Sequence, residues 1–221
     1  MTKKVYRSFA GYGVDIAEHR ADDLDKRVLS QVGLEAVVLE LGCGAMGLSK
    51  RLAEKGVTVL AVDIDDFSTE VPVGQERISF NQTDMRKELD IPNLDSVTDI
   101  VMQRTLHYLS YAEAKKLLQS LYKLMKKHST VNCTISGKLF ISVSGLDSEI
   151  GQDLVEGHTS LDKRFSLLTP AGQEKFFISK PVCLYTEAEF RNLLIETGWR
   201  IDEMWVSAFK NLKAVCSHRK N

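Results

Sequence analysis

The chain of 221 residues predicts an α/β fold, a doubly wound seven-stranded mixed sheet with helices on both faces. Three observations lead there. Short apolar runs rich in β-branched residues recur, the first stopping at a glycine and the second at an aspartate, as buried parallel strands do. Stretches of helical apolar spacing stand between runs, and the first strand–helix–strand unit fits into about 27 residues, the size of a βαβ crossover. The chain then ends in two apolar runs with no helix between them, which reads as an antiparallel hairpin at one end of the sheet.

The elements follow in order. Residues 14–32 carry Ile16, Ala17, Leu24, Val28 and Leu29 at roughly helical spacing, with Gly33 as the stop. Residues 36–41 are the first buried strand, ending at Gly42. Residues 47–55 read as a helix with Leu48, Leu52 and Ala53 inward, closed by Gly56. Residues 57–62 are the second strand, ending at Asp63; residues 77–80 are a weaker third and 98–102 a fourth. Ser110 and Glu113 have the spacing of a capping box and open a helix lined by Leu117, Leu118, Leu121 and Leu124. Residues 138–143 are the fifth strand. Thr186 and Glu189 make a second capping box before Phe190, Leu193 and Leu194, and Gly198 ends that helix. Residues 199–206 and 212–216 supply the closing pair of strands. Between the fifth strand and the last helix, residues 144–185 are too long for a plain connection. They are expected to be a lid insertion over the substrate site, within one domain spanning 1–221 whose residues 1–33 form a helical cap.

Composition narrows the function classes. A hydrophobic fraction of 43% and a charged fraction of 27% describe an ordinary globular protein. The net charge of −1 offers no basic excess for holding phosphates, so no nucleic-acid partner is expected. Lys126-Lys127 and the end 217–220 are local basic spots of the kind that solvated helix and chain ends carry. Cys43, Cys133, Cys183 and Cys216 make no CxxC pair. They read as free thiols in a reducing compartment, with neither a disulfide framework nor a metal site expected. No apolar run is long enough to span a bilayer, and no apolar h-region follows Lys3-Lys4. The expected location is the cytoplasm, without a membrane partner. The oligomeric state is not legible.

The chemistry concentrates after the first strand, in Glu40-Leu-Gly42-Cys43-Gly44-Ala-Met46-Gly47. Glycines there permit a sharp turn and close approach of a ligand, and the helix N-terminus behind them offers unpaired N–H groups. Such a loop fits a dinucleotide fingerprint as well. Asp63 at the end of the second strand is placed to accept both hydroxyls of a ribose. Asp84-Met85 follows the third strand, where a carboxylate and an N–H can meet an adenine edge. An adenine-side carboxylate has no job in the dinucleotide scheme, which weighs against NAD.

These residues carry a resemblance. Val38-Leu-Glu-Leu-Gly-Cys-Gly, Leu52-Ala-Glu-Lys-Gly and Ala61-Val-Asp-Ile-Asp are similar to the Rossmann-like (class I) S-adenosylmethionine-dependent methyltransferases. So are Asp99-Ile-Val, Leu106-His-Tyr-Leu and the late stretch from Tyr185 to Trp199. The resemblance covers roughly residues 36–143 and 184–216. It implies the cofactor S-adenosyl-L-methionine. Glu40 and the Gly42-Cys43-Gly44 backbone would hold its amino-acid end. Asp63, with Ile64 beside it, would take the ribose, Asp84 and Met85 the adenine, and Gln103 and Arg104 would sit beside the sulfonium. Tyr12 would lie over the exposed side of the cofactor. In two places the chain departs from the family: Met46 stands where a third glycine is common, and the turn over 124–137 is long.

His107, just past the fourth strand, is the candidate general base, with packing as its alternative role. Asp65 stands between ribose contact and turn cap. Tyr6, His19 and Arg20 fall in the segment expected to cover the cofactor, and Tyr108 reads as packing. In the insertion, His158 and Arg164 are candidates to meet substrate, and Phe165, Phe176, Phe177 and Tyr185 either line an apolar pocket or anchor the lid. The expected reaction is in-line methyl transfer to a small-molecule metabolite. The alternatives are a protein or peptide acceptor, a non-catalytic cofactor-binding module of the same fold, and an NAD enzyme. The segment Gln103–His107 lacks an Asn-Pro-Pro-Tyr type of sequence, which weighs against methylation of DNA adenine.

Overall fold

The structure, a computed structural model, describes residues 8–14, 21–131, 137–155 and 159–218. A first pair of two-residue strands, β1 (Ser8–Phe9) and β2 (Gly13–Val14), is antiparallel. Then follow α1 (Asp23–Gln31), β3 (Val37–Leu41), α2 (Gly47–Glu54), β4 (Thr58–Asp63), β5 (Ile78–Gln82), β6 (Asp99–Gln103), α3 (Tyr111–Val131) and β7 (Lys138–Ser144). Two short helices, α4 (Glu149–Gln152) and α5 (Pro170–Phe176), precede α6 (Glu187–Glu196), β8 (Trp199–Val206) and β9 (Asn211–His218).

The seven-stranded sheet runs β5-β4-β3-β6-β7-β9-β8. Its first five strands are parallel, and β9 pairs antiparallel with both neighbours. The chain moves outward from β3 to β4 and β5, then returns to the other side of β3 for β6. The crevice between the carboxyl ends of β3 and β6 is therefore the topological switch point, where open α/β sheets bind ligands.

Both faces of the sheet are covered, which explains the continuous apolar strands. Val38, Val59, Ala61 and Val101 share one cluster with Leu24 and Val28 of α1 and with Leu48 and Leu52 of α2. Leu39, Leu41, Ile100 and Ile141 share the other with Leu117, Leu118 and Leu121 of α3 and Phe190 and Leu194 of α6. Both predicted capping boxes are formed. The Ser110 N–H donates to Glu113 Oε2 at 2.9 Å, and the Thr186 N–H donates to Glu189 Oε2 at 2.8 Å. Trp199 is fully buried, donates to the Leu118 carbonyl at 3.2 Å and meets Tyr122 edge-on, which fastens β8 to α3.

The N-terminal expectation is corrected. The helix begins at Asp23, capped by Asp22, and residues 8–14 form a tight strand pair rather than part of a helical cap. Tyr6, Ile16, Ala17, His19, Arg20, Cys133, His158, Arg219 and Lys220 lie outside the described residues. Cys43, Cys183 and Cys216 are buried free thiols.

Candidate active site

A cavity of about 780 Å³ opens at the switch point, within the size range of small-molecule sites. Its floor is the turn after β3. Gly42 has φ +76°, and a Cβ there would strike the Thr105 side chain, so the backbones of the two loops approach closely only because position 42 has no side chain. Thr105 cannot swing away cheaply, since its hydroxyl donates to the carbonyls of Leu41 (3.2 Å) and Gln103 (3.1 Å). Glu40, at the end of β3 and nearly buried, accepts from the Ser49 hydroxyl in the first turn of α2.

Asp63 joins this floor to the end of β4. Its carboxylate accepts from the Gly44 N–H at 2.9 Å and the Asp65 N–H at 3.2 Å. Burial pushes its pKa up, and those two N–H groups offset part of the shift. Each oxygen keeps lone pairs for a ligand hydroxyl, and Asp63 lines the cavity with Ile64 and Asp65. Asp84 and Met85 line it beyond β5. The Asp84 carboxylate is gripped by Arg86, whose Nε lies 2.8 Å from Oδ1 and Nη2 2.8 Å from Oδ2. This fork, two residues long, is a partner that the sequence reading did not supply. Its hydrogen bond holds the Asp84 carboxyl below its usual range.

On the β6 side the cavity is lined by Gln103, Arg104 and His107. Burial and the Arg104 charge together push the His107 pKa down to about 3. Its Nδ1 accepts from the Ser144 N–H at 3.4 Å, which assigns the proton to Nε2. Placed this way, His107 is a neutral hydrogen-bond donor toward the cavity and a poor proton acceptor. That arrangement weighs against its expected role as general base.

The roof comes from two distant segments. The Tyr12 carbonyl accepts from the Tyr108 hydroxyl at 2.6 Å, and the two rings meet edge-on at 5.0 Å. The Gly13 N–H donates to the Phe177 carbonyl at 2.9 Å, and the Ser179 N–H donates to the Gly11 carbonyl at 3.0 Å. The segment 144–185 has an apolar cluster of its own, Leu154, Leu168, Ile178, Val182 and Leu184, against which Tyr108, Ile150 and Phe176 pack.

Residues 38–128 match the family model described as a methyltransferase domain. The ribosomal RNA small subunit methyltransferase A of Thermotoga petrophila is 37% identical over 95 residues, covering 37% of this chain. The chain spans about a third of that relative's length, 36%. Among solved structures, a Burkholderia thailandensis 1,6-didemethyltoxoflavin-N1-methyltransferase with bound 1,6-didemethyltoxoflavin and S-adenosylhomocysteine superposes with a TM-score of 0.65 at 18% identity, over 93% of this chain and 79% of that one. A Rhodobacter sphaeroides structure named for Zn-dependent alcohol dehydrogenases superposes with a TM-score of 0.66 at 14% identity, over 92% of each chain. At these identities the likenesses show the fold alone; the domain match decides between them.

Residues 38–128 are a methyltransferase domain.

Within this domain, Met46 is the unusual residue. It takes φ +60° and ψ +33° at the N-cap of α2, the left-handed conformation that a glycine would adopt without strain. Its side chain is fully buried in the cluster beneath α1 and α2 and does not line the cavity. The loop thus keeps the shape of a glycine turn with a methionine in it. Arg104 is a second left-handed residue, φ +54°, with its N–H shared between the carbonyl and hydroxyl of Ser142.

The cavity brings together Tyr12, Glu40, Gly42, Cys43, Gly44, Asp63, Ile64, Asp84, Met85, Gln103, Arg104 and His107. Phe176 and Phe177 also line it, whereas Phe165 and Tyr185 pack in the main core. Arg164 is corrected. It is almost fully buried, forks onto Glu189 at 2.7 and 2.9 Å and donates to the Leu184 carbonyl, so it fastens the insertion to α6 instead of meeting substrate. Thr105, Ser144, Ile150 and Ile178 line the cavity without having been singled out. The placement of Ser144, the residue after the predicted fifth strand, was the one available signal. Among the described residues, no group of three or more His, Cys, Asp or Glu is placed to hold a metal ion, and no helix is long and apolar enough to cross a membrane.

Proposed function

We propose that this protein is an S-adenosylmethionine-dependent methyltransferase acting on a small molecule. The observation that carries the reading is the link between glycine loop and acid: the Gly44 N–H on the Asp63 carboxylate, at the switch point, inside a cavity of about 780 Å³. The residues fit the cofactor. The Gly42-Cys43-Gly44 turn lines the cavity, Asp63 faces it with lone pairs left for a ligand hydroxyl, and the Met85 side chain lies partly buried where an adenine can rest on it. The bound S-adenosylhomocysteine of the Burkholderia thailandensis neighbour supports the same assignment.

When bound, the cofactor supplies an electrophilic methyl group on a sulfonium. The chain's contribution is positioning and exclusion of water. The floor loop and Asp63 fix one side of the reaction line. The roof, tied down by Tyr108, Gly13 and Ser179, keeps solvent from the other. A small acceptor suits the apolar upper wall of Ile150, Phe176 and Ile178. The likeness to an rRNA enzyme covers about a third of that relative, 36%, and the net charge of −1 shows no overall basic excess of the kind that holds RNA phosphates.

Thermal unfolding with S-adenosylhomocysteine, with NADH as control, tests the cofactor. At a hundred times the dissociation constant the native state gains about 2.7 kcal/mol, which moves the midpoint by about 2–4 °C for each kcal/mol. No shift, or an equal shift with NADH, refutes the cofactor reading. Salt-dependent binding of a small-subunit rRNA fragment, competing with no small acceptor, would refute the substrate class.

A further inference from the structure

Three hydrogen-bond donors meet on the β6–β7 side of the cavity, and among the described residues none has an acceptor. The Arg104 guanidinium forms no ion pair, and its Nε is buried without a hydrogen-bond partner. The Ser144 hydroxyl sits in a residue 2% exposed and makes no hydrogen bond, although the residue lines the cavity. His107 has its proton on Nε2, because Nδ1 is taken by the Ser144 N–H, and Nε2 meets no protein acceptor. Arg104, His107, Tyr108 and Ser144 all line the cavity at the ends of β6 and β7, and the Arg104 charge acts on both His107 and Tyr108. The other cations of the cavity are engaged: Arg86 by Asp84 and Lys175 by Glu149 at 2.7 Å. Of the cavity's carboxylates, Asp63, Asp65 and Asp84 stand beyond β4 and β5, and Glu40 at the end of β3 accepts from the Ser49 hydroxyl.

A cluster of donors with an unpaired guanidinium and no acceptor is costly unless an anion completes it. Resting on the cofactor reading, the cost grows, because a sulfonium nearby would add a second uncompensated positive charge. We propose that Arg104, Ser144 and His107 recognise a carboxylate on the acceptor molecule, whose apolar body lies against Ile150, Phe176 and Ile178. The acceptor is then a small aryl or alkyl acid. Its anion satisfies the three donors and would offset the charge of a sulfonium held beside Arg104. Arg104 is suited to hold it, because the left-handed backbone and the Ser142 anchor fix where its side chain starts. The same chemistry has a second source, the carboxylate of the cofactor itself, so the experiment must separate the two.

Calorimetric titration of the S-adenosylhomocysteine-saturated protein with 3-phenylpropanoate and octanoate, each against its neutral amide, tests the proposal. At least one acid is expected to bind tenfold or more tightly than its amide. Arg104→Gln should bring that acid to the level of its amide, and Arg104→Lys should restore part of the preference. Ser144→Ala, which leaves the backbone anchor to His107 intact, should weaken the acid and not the amide. Equal binding of acid and amide, or an acid preference that survives Arg104→Gln, overturns the proposal. A tenfold loss of S-adenosylhomocysteine in Arg104→Gln with the acid preference intact overturns it in favour of the cofactor carboxylate. If the wild-type protein fails to bind S-adenosylhomocysteine, the cofactor reading falls, and the same acid–amide comparison on the free protein still decides the anion site.

Discussion

Met46 allows the glycine-loop reading to be tested without touching the cavity. Two terms act on it. Its side chain is fully buried in the cluster of Leu24, Val28, Leu48 and Leu52, so truncation costs about 2–5 kcal/mol. Its backbone sits at φ +60°, which costs a residue with a Cβ about 1–2 kcal/mol. Comparing Met46→Ala with Met46→Gly separates them. Both variants lose the side chain, but only alanine keeps the strained backbone. At an ordinary helical position glycine would be the worse of the two by about 0.5–1 kcal/mol. Here it should be the better, by about 1 kcal/mol once its larger unfolded-state freedom is deducted. That is about 2–4 °C of midpoint in a protein of this size, readable by calorimetry. Neither variant should change the dissociation constant of S-adenosylhomocysteine by more than about threefold, since the side chain points away from the cavity. An alanine variant as stable as the glycine one would refute the strained-loop account. A large loss of ligand affinity in both would refute the separation of loop shape from side-chain identity.

Gly42→Ala should do the reverse of Met46→Gly: a Cβ meets Thr105 at a position of φ +76°, so both stability and ligand affinity should fall, the latter at least tenfold by titration. Asp63→Ala should weaken S-adenosylhomocysteine by about 1.5–3 kcal/mol, the range of a hydrogen bond to a charged group, with unchanged affinity refuting the ribose assignment. Two buried groups should set opposing pH slopes. Burial and the Asp22 charge raise Asp25 to about 6, so between about pH 4, its unfolded value, and pH 6 the native state holds a proton the unfolded chain has lost. That contribution to stability declines as pH rises. His107 at about 3 lies below its unfolded value of about 6.5, so its contribution grows with pH over about 3–6.5. Urea unfolding at pH 4.5 and 6.5 should show a steeper rise in stability with pH for Asp25→Asn than for wild type. His107→Gln should show a decline, and unchanged slopes in both would refute the assignments.

What the sequence made legible depends on how local the physics is. The parallel strands were readable because both faces of the sheet are buried, which forces continuous runs such as Val37–Leu41 instead of alternation. The capping boxes were readable because Ser110–Glu113 and Thr186–Glu189 close within one turn. Glu189 also shows where that legibility stops. Its local role in the cap was visible, yet the same carboxylate holds Arg164, which is 25 residues away in the chain. An arginine in a long insertion looks like a solvated loop residue until its partner is known. Nothing in the sequence announces a non-glycine residue at positive φ, so the bends at Met46 and Arg104 were invisible. The strand pair at 8–14 escaped because two-residue strands carry no periodicity.

The two halves of the site divide along the same line. The side proposed to hold the cofactor is made by turns that directly follow β3, β4 and β5, so each residue sits where its own strand ends, and the chain order alone places Gly42, Asp63 and Asp84 around one crevice. The side proposed for the acceptor is assembled from contacts of long sequence separation. Gly11 meets Ser179, Gly13 meets Phe177, and Tyr108 ties Tyr12 to the wall that also carries His107. Because the Tyr108 hydroxyl holds the roof through one short hydrogen bond, and its neighbour His107 faces the donor corner, a change of charge in that corner is felt by the residue that fastens the roof. Neutralising Arg104 with an acid should therefore both fill the acceptor site and ease the field on Tyr108.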